Sequence, residues 1–185
     1  MLTRRVFLRD FSVATGGTVL GAAALSSRLS AAATGANERI RVGIVGFADR
    51  ARESLIPAFQ LHARELNCEL VGVSDIWNRR RDEAVAFFKK EFQQDIATYR
   101  NNEELYEKAK PDAVIIATAD FQHAMHAIEA VRAGCDVYVE KPFAETMQDN
   151  RAALKAIRAS DRIVQVGSQR RSGANYHSAF DYLRS

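Results

Sequence analysis

Gly46, Ala48 and Ala51 follow an apolar run, residues 40–45, and open an amphipathic segment. A glycine at the first of these three spaced positions makes a tight turn out of a strand. A small residue at the third lets the following helix pack closely on that strand. The free N–H groups at the start of such a helix, and its dipole, attract phosphate. The loop Gly46-Phe47-Ala48-Asp49-Arg50-Ala51 is therefore a candidate pyrophosphate cradle. Its weak point is Ala48, whose methyl stands where bare backbone should approach the ligand, and where a positive φ would be strained. Asp49 would repel a pyrophosphate unless it turns away, and Arg50 or Arg52 can offset it.

Asp75 ends the next apolar run, and a carboxylate there can accept hydrogen bonds from both hydroxyls of a ribose. It lies somewhat further along than the usual spacing of about 20 residues, which a longer first helix explains. A carboxylate disfavours a 2′-phosphate at that point, so the pattern favours NAD over NADP. Arg79 and Arg80 leave NADP open, since a nearby arginine can accommodate the extra phosphate. The competing role for Asp75 is an N-cap for the helix that follows.

The elements that must carry these groups alternate. Strands are predicted over residues 40–45, 69–74, 97–99, 113–117, 136–139 and 163–166. Helices are predicted over 53–65, 79–92, 103–110, 122–133, 147–159 and 174–183. In the second helix Val85, Phe88 and Phe92 share one face, and in the fourth Ala124, Ala127, Ile128 and Val131 form a stripe ended by Gly134. Ala153, Leu154 and Ile157 mark the inner face of the fifth. Strands that are apolar on both faces and alternate with such helices predict a doubly wound parallel α/β sheet. Right-handed crossovers give the Rossmann strand order 3-2-1-4-5-6.

The chain has 26 Lys and Arg against 23 Asp and Glu. Residues 1–33 hold four of the basic residues and one of the acidic ones, so the remainder is balanced. The basic isoelectric point therefore belongs to the leader, and no nucleic-acid partner is expected. That leader reads as a twin-arginine signal peptide. Arg4, Arg5 and Arg9 form a positive head, an apolar stretch follows to Leu25, and Ser30-Ala31-Ala32-Ala33 offers small residues for cleavage. The expected organisation is a signal over 1–33, a linker over 34–38 and one domain over 39–185. The expected location is the periplasm or beyond by the Tat machinery, with an uncleaved leader as membrane anchor the alternative. Cys68 and Cys135, placed at the starts of different strands, are too far apart to bridge.

Four stretches resemble the Gfo/Idh/MocA oxidoreductases, relatives of glucose–fructose oxidoreductase and inositol dehydrogenase. They are Arg41-Val42-Gly43-Ile44-Val45-Gly46; Val114-Ile115-Ile116-Ala117-Thr118-Ala119-Asp120, leading to His123; Gly134-Cys135-Asp136-Val137-Tyr138-Val139-Glu140-Lys141-Pro142; and Val164-Gln165-Val166-Gly167-Ser168-Gln169-Arg170-Arg171. The Glu-Lys-Pro triplet is the most specific. The resemblance covers residues 39–185 and implies a catalytic role for Lys141, beside the nicotinamide, in moving the proton of a substrate hydroxyl. It implies that Glu140 contacts the nicotinamide-ribose side, that Thr118 and His123 line the cofactor, and that Gln169 and Arg170 border the nicotinamide and substrate. Phe47 belongs to the same loop as Gly46 and Ala48. Thr118, Glu140, Lys141 and Ser168 also fall at the carboxyl ends of strands, where open parallel sheets bind ligands. A lysine partly buried beside a cationic nicotinamide would lose its proton more readily, which suits it to accept one as hydride leaves. For His123 the alternative is an exposed residue in the first turn of its helix. His126 lies one turn further on, and no metal site is expected, since no further ligands accompany the pair.

The chain departs from the family in three respects. The loop has lost two glycines, Phe121 replaces a polar or histidine residue, and the second α/β domain is missing. That domain would supply the substrate wall and the usual oligomer interface, so the chain reads as a truncated product or fragment, inactive alone. The expected function is the NAD(P)-binding half of an exported oxidoreductase acting on a sugar, cyclitol or glycoside. A sugar-to-sugar redox cycle and oxidation-assisted cleavage of a glycoside both fit. The competing reading is a degenerate cofactor-binding or scaffold protein without catalysis.

Overall fold

The computed structural model describes residues 39–171 and 173–185. The expected signal peptide and linker lie outside the described residues. Strands β1 (Ile40–Val45), β2 (Cys68–Ser74), β3 (Thr98–Tyr99), β4 (Ala113–Ile116), β5 (Asp136–Glu140) and β6 (Val164–Gly167) form one sheet in the order β3-β2-β1-β4-β5-β6. Every pairing is parallel, as the Rossmann arrangement requires.

The helices are α1 (Ile56–Ala63), α2 (Asn78–Phe92), α3 (Asn102–Glu104), α4 (His123–Arg132), α5 (Met147–Arg158) and α6 (Ala174–Arg184). A π-helical segment, Ala51–Leu55, joins the candidate phosphate loop to α1, and a second, Leu105–Ala109, continues α3. The first helical stretch thus starts at the loop itself rather than at Glu53. A 3-10 turn, Asp120–Gln122, leads into α4. Gly134 follows α4 at φ +84°, a left-handed stop that costs glycine little.

Strand alternation explains the two-sided core. Val42 and Ile44 of β1, Ile115 of β4 and Tyr138 of β5 face one side and pack with Leu55, Phe59 and Phe88. Val45, Val114, Ile116, Val137 and Val139 face the other and pack with Leu105, Ala127 and Val131. Successive strand residues point to opposite faces, so a strand covered on both sides must be apolar throughout.

Two expectations about helix faces are corrected. Val85 is exposed while Ala84 and Phe88 are fully buried. The buried stripe of α2 runs through Ala84 and Phe88 at i, i+4, and Val85 is turned about 100° from it. Leu154 is exposed next to buried Ala153 for the same reason. Cys68 and Cys135 are buried and form no disulfide, and β2 and β5 are three places apart in the sheet. Among the described residues no helix is long and apolar enough to cross a membrane.

Candidate functional site

A crevice of about 880 Å³ opens at the carboxyl ends of β1, β2 and β4. β1 is the turning point of the sheet, with β2 on one side and β4 on the other, so the chain leaves the two central strands in opposite directions. Such a divergence leaves a gap between the outgoing loops, and ligands of open parallel sheets bind there.

Gly46 makes the sharp exit from β1 at φ +88°. A Cβ at this position would lie 2.7 Å from Cγ2 of Thr118 and 2.8 Å from the carbonyl oxygen of Ala117. Only a glycine allows the loop to lie so close to β4. The Gly46 N–H donates to the carbonyl of Ser74 at 2.8 Å, which ties the loop to β2 as well.

Asp75 organises the loop electrostatically. Its carboxylate accepts the N–H of Phe47 at 2.9 Å and the N–H of Trp77 at 2.9 Å. The second bond is a local turn two residues long, and the N-cap of α2 is Trp77 without a side-chain cap, so Asp75 is not the N-cap weighed for it. A carboxylate offers about four acceptor sites, so two stay available for ribose hydroxyls. Asp75 is half-buried and lines the crevice.

The phenyl ring of Phe47 is turned into the core, fully buried and edge-on to Phe87 at 5.7 Å. Burying such a ring is worth roughly 2–3 kcal/mol, so the side chain goes inward and only the backbone of Phe47 faces the loop. Ala48 is exposed at the crest, lines the crevice and is not in the left-handed region. The feared backbone strain is therefore absent, and the methyl stands on the lip.

The charges near the loop are already sorted. Arg52 reaches Asp49 at 3.1 Å and Glu53 at 2.9 Å, and Arg80 reaches the same Asp49 oxygen at 3.7 Å, so Arg52, aided by Arg80, offsets Asp49. Arg50 crosses instead to β5, where its Nε and Nη2 donate to Oε1 of Glu140 at 2.8 and 2.6 Å. The Glu140 side chain is buried, and that of Arg50 is one-third exposed. Arg79 and Arg80 both engage Glu83, and the pairing, led by Arg79, draws that half-buried carboxyl below its ordinary range. Both arginines also flank the ring of Trp77.

Thr118 lines the crevice from β4, and its hydroxyl oxygen is buried without a hydrogen-bond partner. The hydroxyl of Tyr106 is orphaned in the same wall, and burial pushes its ionisation well above the ordinary tyrosine range. Buried polar atoms are nearly always satisfied, so two orphans in one crevice wall await partners from a ligand. Together with the spare acceptor capacity of Asp75, they fit a nucleoside with hydroxyl and amine groups.

Sequence reasoning missed a polar chain at the crevice floor. Ser74 Oγ donates to Asn102 Oδ1 at 2.6 Å, and Asn102 Nδ2 donates to Glu129 Oε2 at 2.8 Å. His126 Nδ1 stands 2.9 Å from the same carboxylate oxygen. These groups come from three separate elements, and no local spacing announced them. His123 and His126 are not brought together as ligands. His126 faces Asn102 and Glu129, whereas the ring of His123 lies between the carbonyls of Pro142 and Thr118. With 1% of its surface exposed, His123 is not the first-turn surface residue weighed as the alternative.

Lys141 stands just past β5 and is exposed, not partly buried as expected, and it does not line the crevice. It follows the last buried residue of its strand, and no described element covers it. Gln169 and Arg170, beyond β6, are also exposed, with Arg170 at φ +66°. The structure thus brings Gly46, Ala48, Asp75 and Thr118 around one crevice and pairs Arg50 with Glu140. It leaves Lys141, Gln169 and Arg170 on the open rim.

These features define a nucleotide-binding domain of the doubly wound class, with its site at the strand divergence. Residues 40–168 match the oxidoreductase family with an NAD-binding Rossmann fold, and the chain belongs to that family, Gfo/Idh/MocA. It is 31% identical over 143 residues to an inositol 2-dehydrogenase of Agrobacterium fabrum, a match covering 74% of this chain and 39% of the relative. The WlbA dehydrogenase from Bordetella pertussis, solved in complex with NADH and UDP-GlcNAcA, superposes with a TM-score of 0.70 at 25% identity, over 79% of this chain and 41% of that one. A myo-inositol 2-dehydrogenase from Lactobacillus plantarum has the same fold, with a TM-score of 0.63 at 23% identity over 80% and 41%. The chain spans about two fifths of the length of the relatives it matches.

Proposed function

We propose that this chain is the NAD-holding half of an exported oxidoreductase that removes hydride from a sugar, cyclitol or glycoside. The observation that carries the reading is the crevice at the β1–β4 divergence. There Gly46 has no room for a side chain, Asp75 retains acceptor capacity, and Thr118 holds an orphaned hydroxyl. Asp75 takes the adenosine ribose, and the backbone of residues 47–51 at the helix start takes the pyrophosphate. Residues at the exit of β5, Glu140 and Lys141, would border the remainder of the ligand. When bound, NAD supplies a hydride acceptor. Lys141 takes the proton of the substrate hydroxyl as its C–H electron pair leaves, and Glu140 and Arg50 border the path. Gln169 and Arg170 frame the substrate side of the rim.

Calorimetric titration of NADH into the purified chain tests this. Micromolar binding supports the reading, and heats equal to dilution overturn it. The exposure of Lys141 favours a second reading, a domain that binds the cofactor without turning it over. NADH binding without NAD reduction on any polyol, by the chain carrying all its natural sequence, would select that one. Export rests on Arg4 and Arg5. A reporter fused behind residues 1–38 should reach the periplasm and be retained in the cytosol by the double change Arg4→Lys, Arg5→Lys.

A further inference from the structure

We infer that His123 is a positioning residue for Lys141, acting through the backbone and not by touching the cofactor. The inference rests on the NAD reading above.

The ring is 1% exposed, so it presents no surface to a ligand. Both of its nitrogens face main-chain carbonyls. Nδ1 is 2.7 Å from the oxygen of Pro142, and Nε2 is 3.2 Å from the oxygen of Thr118. A carbonyl oxygen only accepts, so a ring nitrogen that bonds to one must carry a hydrogen, and the shorter contact makes Nδ1–H the firmer donor, to Pro142. The ring therefore bridges the exits of β4 and β5, the two neighbouring strands whose ends carry Thr118 and Lys141.

Lys141 itself makes no hydrogen bond or ion pair with its side chain among the described residues, so its place is set by its two neighbours. On one side Glu140 is held by Arg50. On the other, the Pro142 carbonyl is held by His123. Without the imidazole that carbonyl loses the donor it has in the structure, and the turn carrying the lysine loses one of its two anchors. On the side of the opposite nitrogen, the chain just before Thr118 stays anchored, since the Ala117 N–H donates to the carbonyl of Val45. The effect of losing the ring should thus fall on the Lys141 side of the site and spare the adenosine side.

The test compares two ligands and three variants of the full chain. NADH and ADP-ribose share the adenosine and pyrophosphate, and only NADH reaches toward Lys141. His123→Ala should weaken NADH about fivefold to tenfold by calorimetry and change ADP-ribose less than twofold. His123→Asn places an amide N–H near the position of Nδ1 and should restore NADH binding to within about twofold. His123→Gln places its amide near Nε2 and should not. Should the alanine variant fail to fold by circular dichroism, the asparagine and glutamine variants decide alone. Equal weakening of both ligands, no weakening, or rescue by glutamine and not asparagine overturns the inference. Absence of NADH binding by the wild-type chain removes the NAD reading and this inference with it. Normal wild-type binding with any of the contrary variant results removes this inference alone.

Discussion

Arg50 donates twice to a single carboxylate oxygen of Glu140, a residue 90 positions away, and closes the gap between the loop after β1 and the end of β5. The acceptor is buried and the donor is partly exposed. Taking a carboxylate out of water is costly, and the guanidinium, with two parallel N–H groups, is what makes it tolerable. The pair joins the loop after β1 to the strand that presents Lys141, so these two parts of the candidate site are mechanically linked.

Removing one partner leaves the other charge poorly compensated. Arg50→Ala should cost about 2 kcal/mol, below the range for a fully buried pair because the arginine is one-third exposed. Glu140→Gln, which keeps an acceptor and removes the charge, should cost less. Urea denaturation of the two variants checks the order, and a larger loss for the glutamine variant would show that the carboxylate is not held by Arg50.

The closeness of the loop to β4 makes Gly46 the least replaceable residue of the site. Alanine there meets both a left-handed φ and main-chain atoms of Ala117 at 2.8 and 3.0 Å, which cannot rotate away. Gly46→Ala should lower stability by about 3 kcal/mol or more and abolish NADH binding even where the chain still folds. Ala48→Gly, in contrast, should leave stability within about 1 kcal/mol and strengthen NADH binding, because it clears the lip of the crevice. Melting curves and calorimetry on both variants separate the two glycine positions.

Asp75 combines a structural and a ligand role, and one substitution divides them. Asparagine can accept the N–H of Phe47 or of Trp77 through its single oxygen, but not both as the carboxylate does. Asp75→Asn should weaken NADH about tenfold. It should narrow the preference over NADPH, because the charge that repels a 2′-phosphate is gone. Arg79 and Arg80 are occupied by Glu83 in the wild type, so Glu83→Gln should move the preference the same way. Competitive titration of the two dinucleotides checks both.

The fold was legible because its rules act on many residues at once. Apolar strands such as residues 113–116, alternating with amphipathic helices, leave few arrangements, and the parallel order followed from connection rules. Motif residues at strand ends were placed by the same logic, which is why Gly46, Asp75 and Thr118 meet at one crevice. What escaped depends on side chains meeting across long separations. Arg50 was read as an offset to Asp49 in the cofactor loop because that neighbour was visible, whereas Glu140 lay 90 residues on. The inward ring of Phe47 answers to Phe87 on α2, a tertiary contact with no local signature. The π-helical segments were invisible, since a π-turn and an α-turn share nearly the same apolar spacing. His123 shows the limit best. It was read as lining the cofactor or as an exposed first-turn residue, and neither reading foresaw its burial between the carbonyls of Pro142 and Thr118.

Cys68 offers a pH signature of the packed sheet. Burial raises its thiol from an ordinary value of 9.0 to about 12. The unfolded chain releases this proton near pH 9 and the folded chain only near pH 12, so between those values the unfolded state binds fewer protons. Stability from this group is fully present below about pH 9 and is lost as pH rises toward 12. The slope is at most about 1.4 kcal/mol per pH unit. Cys68→Ala removes the titrating group and should flatten the loss over that window, although it costs stability at neutral pH through the small cavity it leaves. Tyr106, also raised by burial, should keep part of the decline in the variant. Urea midpoints measured every half unit from pH 8 to 11 check the difference between the two proteins. Parallel curves would mean that water reaches the thiol in the folded state and that the edge of β2 next to α1 is looser than its packing implies.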